Sequence, residues 1–420
     1  MRIRVEGKQP LNGVYRPSGN ANTAQALLAA SMITDSPVTL HNFPRTLSTQ
    51  SMITSAESLG VVLTWNDDSS LTATHSGLTR RVLTQGETDV SIGGLLLVAP
   101  LLIQRQYVRL EIDYPLNRIR THLEALRDLG IDVVTSANAV DLKAASWETR
   151  EIILSQASVT ATALVLMLSA CLGKYTVLKN AACEPHVQEL TSMLVQMGAR
   201  IDGIGSNVLH IHGATALAGA DVSIRPDHIE AASVAAIAAM SGGRVQIEGV
   251  RGSDMRAIAR MFERLGLHID IDAETMFIPK HEVLTVSNRE EDVDASVETA
   301  PWPGFPSDLV SVATVIATQA RGTSLIHEKM FNNRLLFVDK LKAMGAQIVL
   351  CDPHRAIVVG STALRGIYMD SPDVRAGIGM LAAALVADGE SVIDNAQTLE
   401  QTFAGVLGKL QAINAPIILE

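Results

Sequence analysis

Apolar residues recur along this chain in two alternating patterns. Six stretches, 24–33, 93–103, 161–171, 231–240, 310–318 and 375–386, are apolar or small on nearly every face. A helix with no polar face is normally buried on all sides, so these read as inner helices. Other helical stretches, such as 121–129 and 335–344, carry charge along one side and read as outer helices. Each outer stretch ends in a short apolar turn: Leu59-Gly60, Leu129-Gly130, Met197-Gly198, Leu265-Gly266, Met344-Gly345 and Ile413-Asn414. Glycine or asparagine just past an amphipathic helix is the residue expected at a left-handed C-cap. The residues that follow begin extended segments.

The six junctions lie 70, 68, 68, 79 and 69 residues apart. Such even spacing marks an internal repeat. Each repeat reads as strand, inner helix, strand, outer helix and two more strands. The predicted fold class is α/β: two domains, each an inside-out α/β barrel of three βαβαββ units, with helices inside and sheets around them. One large open α/β sheet is the alternative, and six apolar helices at regular spacing argue against it.

Length agrees with two domains, because 420 residues exceed the size at which a single core stops growing. Apolar residues make up 47% and aromatics only 4%, so the core must be aliphatic and rich in alanine. No apolar run reaches the 18 residues of a spanning helix, and the start of the chain lacks a secretory apolar segment. Cys171, Cys183 and Cys351 have no paired spacing, which indicates neither a disulfide framework nor a cysteine metal site. A soluble cytoplasmic protein, a monomer without metal or other cofactor, is expected. The formal charge of −10 argues against nucleic acid as a partner, while leaving room for a local anion site.

No dinucleotide fingerprint, Walker loop or metalloprotease helix occurs. Ser18-Gly19-Asn20-Ala21-Asn22-Thr23 opens into the first inner helix, and Ser158-Val159-Thr160 into the third. Short polar side chains and free backbone N–H groups there suit either helix capping or a bound anion. Thr299-Ala300-Pro301-Trp302-Pro303-Gly304-Phe305-Pro306-Ser307-Asp308 reads as a restricted, extended loop before the fifth inner helix. Asp308 is placed either to cap that helix or to serve as a base or orient a hydroxyl acceptor. Arg334, and Asp373 with Arg375, offer charges for a phosphorylated ligand. Cys183 lacks a basic cluster that would activate its thiol, and His122 is expected to face solvent or to cap its helix.

These segments resemble the enolpyruvyl transferases over essentially the whole chain. The matching pieces are Ser18-Gly19 with Asn22, Ser158-Val159 with Ala161-Thr162, Asn180-Ala181-Ala182 with Glu184-Pro185, and Pro226-Asp227-His228-Ile229-Glu230. Further on come Thr299-Ala300-Pro301, Phe305-Pro306-Ser307-Asp308, Asn333-Arg334 and Asp373-Val374-Arg375-Ala376. The Asn-Ala-Ala and Phe-Pro segments favour the branch acting on UDP-N-acetylglucosamine over the shikimate-pathway branch. The resemblance implies domains at 21–229 and at 1–20 with 230–420, and a ligand cleft between them. It implies transfer of the enolpyruvyl group of phosphoenolpyruvate to the 3-hydroxyl of a UDP-sugar, through a phosphorylated tetrahedral ketal, with release of phosphate. It assigns Asp308 to the acceptor hydroxyl and Asn22 to the acceptor side. Ser158, Val159 and Thr160 fall along the diphosphate, with Thr160 in place of a family glycine. Arg334, Asp373 and Arg375 fall in the substrate site, the two arginines facing phosphoenolpyruvate.

The departures from that family pattern share a direction. A lysine contacting phosphoenolpyruvate is Ala21 here, an arginine before the second inner helix falls near Ile92, and a late arginine is Gln401. A lysine near the diphosphate is Gln156. The mobile loop that carries a general acid shrinks to Asp113-Tyr114-Pro115-Leu116-Asn117, and the Arg-Pro after it becomes Asn117-Arg118. Arg118 and Arg120 stand beside this loop as candidate replacements for the lost cations. The resemblance thus leaves three functions open: the family transfer on a UDP-sugar-like acceptor, a catalytically weakened homologue with a binding, regulatory or structural role, or a different transferase using the same cleft.

Overall fold

All six outer helices stop in the same way. In this computed structural model, which describes residues 1–89, 92–287, 296–370 and 376–420, the five junction glycines have φ between 81° and 113°, and Asn414 has φ 72°. At the first junction Val61 N–H donates to Ala56 O at 3.1 Å and Gly60 N–H to Glu57 O at 2.9 Å. The same pair of bonds recurs at the other five, down to Ala415 N–H to Leu410 O and Asn414 N–H to Gln411 O. This is the Schellman arrangement, which satisfies carbonyls that the helix end leaves free. At Gly266 the demand is steric as well, since a Cβ there would sit 2.4 Å from the Thr285 nitrogen.

The six apolar stretches supply the inner helices: α1 (Ala21–Ser31), α2 (Val98–Arg105), α3 (Val159–Leu172), α4 (His228–Met240), α5 (Val310–Gln319) and α6 (Gly377–Val386). The second, expected from 93, is a 3-10 turn over Ile92–Leu97 before its α-helix begins. All of α6 is buried, and α4 is buried from His228 to Ala239. Small residues let these helices approach closely. A Cβ on Gly379 of α6 would lie 2.6 Å from the Ser311 side chain of α5.

Around the helices stand six four-stranded sheets built to one order. Trp147–Ile153 runs parallel to Gly173–Lys179, which pairs antiparallel with Val208–His212, which pairs antiparallel with Arg200–Asp202. The parallel pair requires a crossover, and the inner helix supplies it. Separate sheets exclude the single open sheet among the described residues. Three sheets are completed by strands distant in sequence. Ala220–Ser223 joins Val38–His41, Asn12–Tyr15 joins Arg244–Glu248, and Ile3–Glu6 inserts between Glu390–Ile393 and Ile417–Leu419. The contacts divide the chain into a continuous unit, residues 19–224, and a split unit, residues 1–18 with 225–420. Each has its own aliphatic core.

Two local expectations need correction. The outer helix expected over 335–344 is only Val338–Ala343. Asn333 has φ 61°, so the chain turns there and Arg334 lies on a turn outside the helix. The proline-rich segment is also less extended than its composition suggests. Ala300 N–H bonds to Phe305 O, and Gly304 N–H to Pro301 O, closing a tight turn. No described helix is long and apolar enough to cross a membrane.

Candidate active site

In the continuous unit, candidate residues gather at the starts of α1 and α3. Asn20 caps α1 by accepting from Thr23 N–H at 2.9 Å. Ala21 follows, buried, and Asn22 is exposed on the first turn. Ser158 caps α3, its hydroxyl accepting from Ala161 N–H at 3.3 Å. Val159 packs against the core. The Thr160 hydroxyl lies 2.7 Å from His122 Nε2. His122 does not face solvent. Its amphipathic helix, Arg120–Asp128, turns His122, Leu123, Ala125 and Leu126 inward. Burial lowers the imidazole pKa to about 4, so the ring that holds Thr160 is neutral near pH 7.

Both replacement cations are engaged locally. The Arg118 guanidinium lies over the Tyr114 ring, 5.0 Å from its centroid. Arg120 Nε donates to Glu124 Oε1 at 2.6 Å. Cys183 is buried, and that burial, followed by the nearby Glu184 charge, pushes its thiol up to about 11. This is the reverse of an activated nucleophile.

In the split unit, Asp308 sits on the short turn Ser307–Leu309 that leads into α5. Arg334 Nη1 donates to Asp308 Oδ1 at 3.3 Å. The arginine side chain is only 11% exposed while the carboxylate is 56% exposed, so the acid is open to a ligand and the cation is sheltered behind it. Arg334 also lies over the Phe331 ring, 4.9 Å from its centroid. A small pocket beside it is lined by Ser311, Asn333, Phe337 and Ala376. Asp373 and Arg375 lie outside the described residues. Asn22 belongs to one unit, and Asp308 and Arg334 to the other.

One further inner helix of the split unit, α4, brings two more acid groups, Asp227 and Glu230. Asp227 caps α4, its Oδ1 accepting from Ile229 N–H at 2.8 Å and Glu230 N–H at 3.1 Å. His228 meets Trp302 edge-on, with ring centroids 5.4 Å apart, which ties the proline-rich turn to α4. Burial first, then the Glu230 charge and to a smaller extent Asp308, raise the Asp227 carboxyl from 3.8 to about 7. A carboxyl whose pKa is raised on folding adds stability while protonated and loses that contribution as pH rises through the folded value. Unfolding free energy from urea titrations should therefore fall progressively between about pH 4 and 7, by up to a few kcal/mol. Asp227→Asn keeps an oxygen for the cap and should flatten that fall; an unchanged slope would remove Asp227 as its source.

The chain matches the family described as EPSP synthase (3-phosphoshikimate 1-carboxyvinyltransferase) over residues 5–410. It belongs to that family of enolpyruvyl transferases. A UDP-N-acetylglucosamine 1-carboxyvinyltransferase of Bradyrhizobium diazoefficiens is 40% identical, over 98% of this chain and 96% of the relative. One of Treponema denticola is 37% identical, over 99% of this chain and 98% of the relative. Among solved structures, the enolpyruvyl transferase NikO from Streptomyces tendae superposes with a TM-score of 0.87 at 22% identity, covering 99% of this chain and 98% of its own. EPSP synthase from Acinetobacter baumannii gives 0.78 at 16% identity, over 99% of both chains. At those identities the structures establish the fold.

One buried charge of this chain is paired in a way that its residue type alone does not reveal. Glu230 is the carboxylate of an otherwise apolar inner helix, and its side chain is 1% exposed. It accepts from Tyr15 Oη at 2.6 Å and from Ser18 N–H at 3.1 Å, and it forms an ion pair with Lys409. Lys409 also donates to Ser18 Oγ at 2.8 Å, and that hydroxyl donates to Ala404 O at 3.0 Å. The available signal was the charge itself, because a lone carboxylate in a fully buried helix requires partners.

Proposed function

We propose that this chain moves the enolpyruvyl group of phosphoenolpyruvate onto the 3-hydroxyl of a UDP-N-acetylglucosamine-like acceptor, with a donor site weaker than the family pattern provides. The acceptor oxygen bonds to C2 of phosphoenolpyruvate while the methylene carbon gains a proton, giving the ketal. Loss of phosphate and of a proton from the resulting methyl group then restores the vinyl group. The observation that carries this reading is the Asp308–Arg334 pair, an open carboxylate backed by a sheltered cation at the start of an inner helix. Asp308 orients the acceptor hydroxyl and receives its proton. Arg334, with Arg375, offsets charge on phosphoenolpyruvate, and Asp373 stands in the same motif. Asn22 and the Ser158-Val159-Thr160 segment serve the acceptor. Supporting the choice of acceptor are the full-length relatives bearing the name UDP-N-acetylglucosamine 1-carboxyvinyltransferase. A role in the cytoplasmic synthesis of peptidoglycan precursors follows from that acceptor.

A second reading, a binding protein that retains the nucleotide-sugar but not the transfer, is favoured by Ala21 and by the capture of Arg120 by Glu124. Calorimetric titration with UDP-N-acetylglucosamine, followed by phosphate release on adding phosphoenolpyruvate, separates the two. Binding with slow release supports the transferase, and binding with no release supports the second reading. Failure to bind the UDP-sugar would overturn both.

A further inference from the structure

We propose that Glu328 is a positioning residue that holds the Asp308 turn and the Arg334 loop in register. The inference rests on the reading that Asp308 and Arg334 serve the transfer. Glu328 directly follows the strand Gly322–His327 and is completely buried. Four donors from three segments converge on its carboxylate. Its Oε1 accepts from Thr299 Oγ1 at 2.9 Å, Met330 N–H at 2.7 Å and Phe331 N–H at 3.0 Å. Its Oε2 accepts from Ser307 Oγ at 2.5 Å. Thr299 begins the proline-rich turn, Ser307 adjoins Asp308, and Phe331 lies three residues before Arg334, beneath its guanidinium. A cross-brace strengthens the arrangement, since the Thr299 hydroxyl also accepts from Lys329 N–H at 2.8 Å.

The Asp308–Arg334 contact, at 3.3 Å, joins two of the segments that Glu328 ties together. The tie explains how an exposed carboxylate on a turn and an arginine on a separate loop keep one geometry. Buried acceptors leave their donors costly to strand, so the three segments move together or not at all. A carboxamide tests this directly. In Glu328→Gln the amide oxygen replaces Oε1 and keeps three donors, while its NH2 group faces Ser307, whose hydroxyl turns to accept. In Glu328→Ala all four donors lose their acceptor.

The experiment compares full-length wild type, E328A and E328Q by crystal structure, amide hydrogen exchange and phosphate release. In E328A the Asp308–Arg334 contact should open beyond hydrogen-bonding distance, and Met330 and Phe331 amides should exchange at least about tenfold faster. Turnover should fall about a hundredfold, the cost of an ångström-scale misplacement. E328Q should retain the contact, the protection and most of the turnover. Absence of turnover in wild type would sink the transfer reading alone, since the structural and exchange readouts still decide the role of Glu328. Should E328A fail to fold, the T299V/S307A double variant cuts the ties to the Asp308 segment while the two loop amides keep the carboxylate paired. The proposal is overturned if the Asp308–Arg334 contact survives in E328A or in that double variant, or if E328Q behaves like E328A.

Discussion

Phosphate release from phosphoenolpyruvate and UDP-N-acetylglucosamine should run about a thousandfold below that of a family member carrying both the lysine and the acid loop. A lost charge-assisted hydrogen bond costs about 2 kcal/mol, so two such losses amount to about 4 kcal/mol. Each decade of rate is worth about 1.4 kcal/mol, which gives roughly three decades. Ala21→Lys alone should recover less than about tenfold. It restores one cation but supplies no proton donor where the segment Asp113–Asn117 is short, and donor binding and proton transfer are separate requirements. Moreover Ala21 is buried at the start of α1, where a lysine must thread its stem outward. Asp308→Ala should abolish the remaining release. Ordinary turnover in wild type, measured by coupled phosphate assay, would refute the weakened donor site. It would also shift attention to Arg118 and Arg120, with Arg120 then having to leave Glu124.

Lys409→Met should cost the split unit about 3–5 kcal/mol, the penalty for removing one partner of a buried pair. Glu230 would remain 1% exposed without its cation, keeping only the Tyr15 hydroxyl and the Ser18 amide. That amide belongs to the end of the N-terminal segment, whose Ser18 carbonyl also accepts from Asp227 N–H at 2.8 Å. The variant should therefore loosen the attachment of residues 12–18 as well as lower the unfolding midpoint. Adding Glu230→Gln removes the stranded charge and should return about half of the loss, because the amide still pairs with Tyr15 and Ser18. Thermal unfolding of the wild type, the single variant and the double variant tests this. A single variant within about 1 kcal/mol of wild type would show that the pair adds little.

The repeat, its six helix stops and its inner helices were legible because each depends on local chemistry. A glycine after Leu129 or Met344 answers to the φ of one residue, and an uncharged stretch such as 161–171 can be stable only when buried. The family, too, could be read from ordered short motifs, including Phe305-Pro306-Ser307-Asp308 and Asn333-Arg334. What the sequence did not decide was how distant charges pair. Glu230 meets Lys409 across 179 positions, and Glu328 gathers donors from Thr299 and Ser307. His122 sits on a helix whose charged residues suggested exposure, yet the rotation of that helix buries its imidazole against Thr160. Arg120 reads as a free cation until Glu124, one turn further on, is seen to hold it. Local backbone preference acts over a few residues and leaves a trace in the composition of each segment. The pairing of buried polar groups depends on which helix starts and strand ends the packed core brings together, and only the tertiary structure decides that.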